Sequence, residues 1–157
     1  MGNLEINTSM KTLDFEARTA VAKECIQRLC DISGLRSDAN RKTDPRISQM
    51  IGTSPSLDHA GTNVQLTITS LWLKLSDLDF GKAVFVFEMP NISFASGGDP
   101  SLQDYVAFVA KSKTLSRACY VMECKGGLAQ DVIMTIGQAF ELRYYFFREI
   151  DVERVFI

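Results

Sequence analysis

The sequence predicts an α+β fold: an antiparallel β-sandwich of about seven strands, closed by a long C-terminal helix and carrying an extra helix after the first strand. Three observations predict it. Short runs with apolar residues at every second position recur between turn signals from Asn63 to Glu123, the period of half-buried strands. Two longer runs, Phe15 to Ile32 and Leu128 to Phe147, repeat instead at three and four residues, the period of amphipathic helices. The chain, 157 residues with 46% hydrophobic and 23% charged side chains, is long enough to bury one core without staples. So many short strands exclude a helical bundle.

The elements follow in order. Asn3 to Ile6 is a brief strand, and Asp14 caps a helix from Phe15 to about Ile32, stopped by Ser33-Gly34. Leu35 to Gly61 is a polar connection with a short helix near Arg46 to Ile51, ended by Gly52. Asn63 to Thr69 and Leu71 to Leu75 form a hairpin. Ala83 to Phe87, Ile92 to Ser96, Tyr105 to Lys111 and Ala118 to Glu123 complete the strands, and Lys125-Gly126-Gly127 turns the chain into the last helix. Helix, connection, strands and closing helix make a pleckstrin-homology-like sandwich over residues 1–147, followed by a tail, 148–157.

Composition narrows the function. A net charge of −2 excludes bulk nucleic-acid binding, so any basic site is local. No apolar run reaches the length of a bilayer span, and MGNLEINTSM lacks the layout of a signal peptide, so the chain is expected inside the cell. Cys25, Cys30, Cys119 and Cys124 read as buried reduced thiols, with no metal site or cofactor. The single histidine, His59, has no nucleophile motif beside it, and the chain reads as non-enzymatic.

The binding chemistry concentrates between Asn91 and Arg117. Ile92-Ser93-Phe94-Ala95-Ser96 alternates, with Ile92 and Phe94 expected in the core and the small Ser93 and Ala95 on the other face, where another strand can lie close. Gly97-Gly98-Asp99-Pro100 ends that strand. Lys111 and Arg117 stand at the ends of the next two strands, so two cations flank an accessible strand edge. That combination predicts an anion site beside the edge.

The stretches NISFASGGDP, YVAFVAK, SRACYVMEC and GLAQDVIMTIGQAFELR, with MKTLDFEARTAV, resemble the phosphotyrosine-binding (PTB) domain of the Shc adaptor family from about Met1 to Arg143. The resemblance implies a pleckstrin-homology-like sandwich that binds Asn-Pro-x-phosphotyrosine segments of receptor tyrosine kinase tails. The peptide adds as a strand between a sheet edge and the C-terminal helix. Carried over by motif, the phosphate would meet Lys11, Ser93, Lys111 and Arg117, and the peptide would lie along Ile92, Phe94, Ala95, Ile136 and Phe140. The domain would act in the cytoplasm, recruited to the inner face of the plasma membrane through receptors. Three departures carry expectations of their own. Lys11 replaces the family's arginine, the first strand is shortened and expected to leave a sheet edge unpaired, and Gly52 to Gly61 lacks the family's basic residues. The alternative reading, a phosphoinositide-binding pleckstrin-homology-like module, is thereby reduced to weak acidic phospholipid binding.

Overall fold

The computed structural model describes residues 1–34, 42–113, 116–145 and 154–156. Its strands are β1 (Gly2–Glu5), β2 (Val64–Ile68), β3 (Trp72–Asp77), β4 (Ala83–Glu88), β5 (Ile92–Gly97), β6 (Tyr105–Lys111), β7 (Arg117–Glu123) and β8 (Arg154–Phe156). Its helices are α1 (Phe15–Ile32), α2 (Pro45–Gln49) and α3 (Leu128–Tyr145). Two antiparallel four-stranded sheets form, ordered β1-β7-β6-β5 and β4-β3-β2-β8. The eighth strand is the addition to the sequence reading: three residues of the tail return to pair with β2. Phe147, the last residue of the expected helix stripe, lies outside the described residues.

Local chemistry accounts for the element ends. The Asp14 carboxylate accepts from Ala17 N at 2.8 Å and starts α1. Ser33 caps its C-terminus, and Gly34, at φ 72°, takes the left-handed turn that follows. Asp44 caps α2 with Pro45 in its first turn. In the β2–β3 turn the Thr69 hydroxyl accepts from both Leu71 N and Trp72 N at 3.1 Å, which closes the hairpin without glycine.

The first sheet is covered on both faces. β6 is buried from Tyr105 through Ala110, a continuous apolar run of the kind that two covered faces require. Phe108 and Tyr120 point to the second sheet and α3, where they meet Phe85 and Phe87 with ring centroids 4.7–5.5 Å apart. Val109, Cys119 and Val121 point the other way, onto Cys25, Ile26 and Leu29 of α1. The expected extra helix is thus a full layer of the core. Phe15, expected on its apolar stripe, stands 75% exposed at the first turn.

β1 does not leave its outer edge open. Asn3 exchanges backbone hydrogen bonds with Ser56 (3.1 and 2.9 Å), Gly52 N donates to Glu5 O at 2.7 Å and Asn7 N to Met50 O at 2.8 Å. Residues 50–56 run beside β1 as its outer partner and satisfy backbone groups along that edge. On its other side β1 pairs with β7 over four residues, and the Met1 ammonium donates to Val121 O at 3.1 Å.

All four cysteines are free thiols; Cys25, Cys30 and Cys119 are buried and Cys124 partly so. Burial pushes the Cys124 thiol up to about 11 and raises Cys30 as well. Cys119 is raised well above the ordinary thiol range, first by its hydrogen bond to Cys25 and then by burial.

Candidate functional site

β5 is the terminal strand of the first sheet, and among the described residues it pairs on one side only, with β6. α3 packs beside it on the face toward the second sheet, while the Met10–Thr12 3-10 turn and α1 approach from the opposite face. The groove expected for the peptide falls between α3 and this edge, which has no strand partner among the described residues.

The register of β5 departs from simple alternation. Ile92 pairs with Ala110 but Phe94 with Val109, so Ser93 is the extra residue of a bulge. Ile92 consequently packs with Phe108 and Ile136 in the core between the sheets, and Phe94 turns to the α1 side, where its ring meets Phe15 edge-on at 6.0 Å. Ala95 returns to the α3 side. The expectation of Ile92 and Phe94 on one face, with Ser93 and Ala95 on the other, is thus corrected. A bulge adds one residue to the count and reverses every side chain beyond it.

Among the residues expected along the peptide, Ile92 and Ile136 are 2% and 3% exposed. Their side chains are core beneath the groove. Ala95 and Phe140 are half-buried at its surface and pack against the same core. The wall also includes Ile133, which sequence reasoning did not assign to it: a Cβ built on Gly97 would stand 3.3 Å from Ile133 Cδ1. Gly137 lies on the same flank of α3, four residues after Ile133 and three before Phe140, and a Cβ there would meet nothing within 4 Å. A glycine inside a helical pattern was the signal available in the sequence.

The four residues expected at the phosphate lie on β5, on β6 and β7 of the same sheet, and on the 3-10 turn that packs on β5. Lys111 and Arg117 are directly paired at the end of the β6–β7 ladder, which places both side chains on the α1 face. Beyond them Ser112 N donates to Ser116 O at 3.0 Å and closes the hairpin. Ile6 N donates to Arg117 O at 2.9 Å, and from there the chain leads into the 3-10 turn that carries Lys11 and packs on β5. Ser9 caps that turn by accepting from Lys11 N at 3.4 Å. Ser93 sits in the adjacent bulge and donates its hydroxyl to Val109 O at a long 3.3 Å. Lys11 and Lys111 are exposed and Arg117 half-buried. Among the described residues none of these three cations is paired with a carboxylate.

Among the described residues no cluster of His, Cys, Asp and Glu is arranged to hold a metal ion, and no helix is long and apolar enough to cross a membrane. His59 is exposed in the connection, its ring edge-on to Phe85 at 5.2 Å.

Comparison with known proteins gives the family. The model of the phosphotyrosine interaction domain (PTB/PID) matches residues 1–149. Human SHC-transforming protein 4 is 47% identical over 92% of this chain, the Xenopus laevis SHC-transforming protein 1 is 45% identical and human SHC-transforming protein 3 is 44% identical, each over the same share. The chain spans 23%, 31% and 25% of those relatives' lengths, respectively. An edge strand beside a helix, on a two-sheet scaffold, is the setting in which those motifs fall. The chain belongs to the phosphotyrosine interaction domain (PTB/PID) family, whose members are non-enzymatic docking modules for phosphotyrosine motifs in signalling.

Proposed function

We propose that this chain docks onto Asn-Pro-x-phosphotyrosine segments in the tails of receptor tyrosine kinases. The segment adds as an antiparallel strand to the free edge of β5, in the groove walled by α3. Main-chain pairing supplies affinity that tolerates sequence, and the side chains at the groove select among peptides. The phosphate goes to Lys11, Ser93, Lys111 and Arg117.

The observation that carries this reading is the coincidence of an open strand edge with three cations that have no carboxylate partner among the described residues. Phosphotyrosine brings about −1.5 to −2 charges and three acceptor oxygens. The Arg117 fork can take two of those oxygens, the lysines act as point charges, and the Ser93 hydroxyl exchanges its long bond to Val109 O for one to the phosphate. Docking of this kind would bring the chain to the inner face of the plasma membrane. The segment 52–61 carries Asp58 and no Lys or Arg, so it gives the phosphoinositide alternative no support.

Fluorescence anisotropy with a labelled Asn-Pro-x-Tyr peptide, phosphorylated and unphosphorylated, tests the proposal. Two charge-assisted hydrogen bonds at ~1.5–3 kcal/mol each predict roughly a hundredfold or greater preference for the phosphorylated form. Arg117→Ala and Lys111→Ala should each remove most of that preference while leaving the fold intact. Equal affinity for both peptide forms would count against the basic pocket.

A further inference from the structure

The second sheet has an edge of its own on β2, and β8 occupies it. Leu66 pairs with Phe156, Thr67 with Val155 and Ile68 with Arg154. The attachment is slight. It has three residue pairs where β2 and β3 share five, and Phe156 is its only buried side chain. Phe156 joins the core between the sheets and forms one wall of a cavity of about 520 Å³, lined also by Leu66, Leu75, Leu128 and Val132.

Arg154 lies on the same side of β8 as Phe156, two residues before it. Its guanidinium sits over the Phe156 ring, 4.9 Å from the centroid, and Nη1 donates to Thr135 Oγ1 of α3 at 3.1 Å. Thr135 is 5% exposed and donates its own proton to Asp131 O at 2.7 Å, so its oxygen faces β8 as an acceptor. Val155 between them points outward, 42% exposed. What the site reads is therefore a cation, a spacer and an aromatic ring on an extended backbone.

We propose that the β2 edge, Thr135 and the neighbouring cavity form a second strand-acceptor site, separate from β5. The chain's own C-terminal segment holds this site, and an extended segment of another protein with the same cation-spacer-aromatic order takes its place. Backbone pairing to β2 gives the affinity, and Thr135 and the cavity give the selection. The tail has the advantage of its tether, which presents it at an effective concentration on the order of millimolar. Weakening the tail's anchor opens the site to a ligand in trans.

The test titrates a labelled six-residue peptide of the tail sequence, Val-Glu-Arg-Val-Phe-Ile, with the full chain as wild type, Phe156→Ala and Arg154→Glu. Both variants should bind the peptide at least about tenfold more tightly than wild type, because the tethered competitor is weakened. A peptide with alanine in place of its phenylalanine should lose that binding. Arg154 is exposed, so Arg154→Glu keeps the test open if Phe156→Ala fails to fold. Equal affinity for wild type and both variants, binding to none of them, or indifference to the peptide's phenylalanine would overturn the proposal.

Discussion

Gly137 is a residue whose cost points outward. Inside a helix glycine is less favourable than alanine by about 0.5–1 kcal/mol, and here no close neighbour explains it, since a Cβ would meet nothing within 4 Å. It shares a flank of α3 with Ile133, which reaches Gly97 of β5, so the space it leaves open adjoins the groove proposed for the peptide. Gly137→Ala should raise stability by about 0.5–1 kcal/mol in urea unfolding and leave peptide affinity nearly unchanged. Gly137→Leu should remain folded and lose roughly tenfold or more in anisotropy titrations, because the longer side chain fills the strand's path. Lys11 makes the opposite kind of prediction. Its ammonium lacks the planar fork, so Lys11→Arg should tighten phosphopeptide binding by about tenfold, ~1.4 kcal/mol, with no change for the unphosphorylated peptide.

At the scale of elements, the strands and both long helices were legible in the sequence because each buries a face and shows its period. β6 is found at Tyr105 to Lys111 and α1 at Phe15 to Ile32, the spans that the apolar spacing predicts. Asp14→Ala should cost about 1 kcal/mol of stability through loss of the cap, measured by chemical unfolding. Two features were not legible. A bulge such as that at Ser93 changes only which residues face each other, so periodicity alone put Ile92 and Phe94 on one face. β8 is three residues long with one buried side chain, too short to show a period against the rest of the tail. At the candidate site, Lys111 and Arg117 were readable from their positions at strand ends. Lys11 came only from the family motif, since its approach to β5 runs through a 3-10 turn with no pattern of its own.

At the scale of the whole molecule, the first sheet lies between α1 on one face and the second sheet with α3 on the other. Core losses should therefore register throughout. Phe108 is fully buried where both sheets meet, and Phe108→Ala should destabilise by ~3–5 kcal/mol in denaturant unfolding. The thiols add a pH dependence. Burial raises Cys124 to about 11, while an unfolded thiol ionises near 8.5. The folded state holds its proton more tightly, so this contribution is whole below about pH 8.5 and is lost as pH climbs toward 11. Urea midpoints should fall between pH 7.5 and pH 10, and fall less in Cys124→Ala.

Pairing of a phosphotyrosine segment with the β5 edge is tested by amide hydrogen exchange with and without a saturating Asn-Pro-x-phosphotyrosine peptide. New protection is expected in Ile92 to Gly97, on amides that face away from β6, and none along β4 at the edge of the other sheet. Peptide binding that leaves β5 exchange unchanged, or that protects β4 instead, would contradict it.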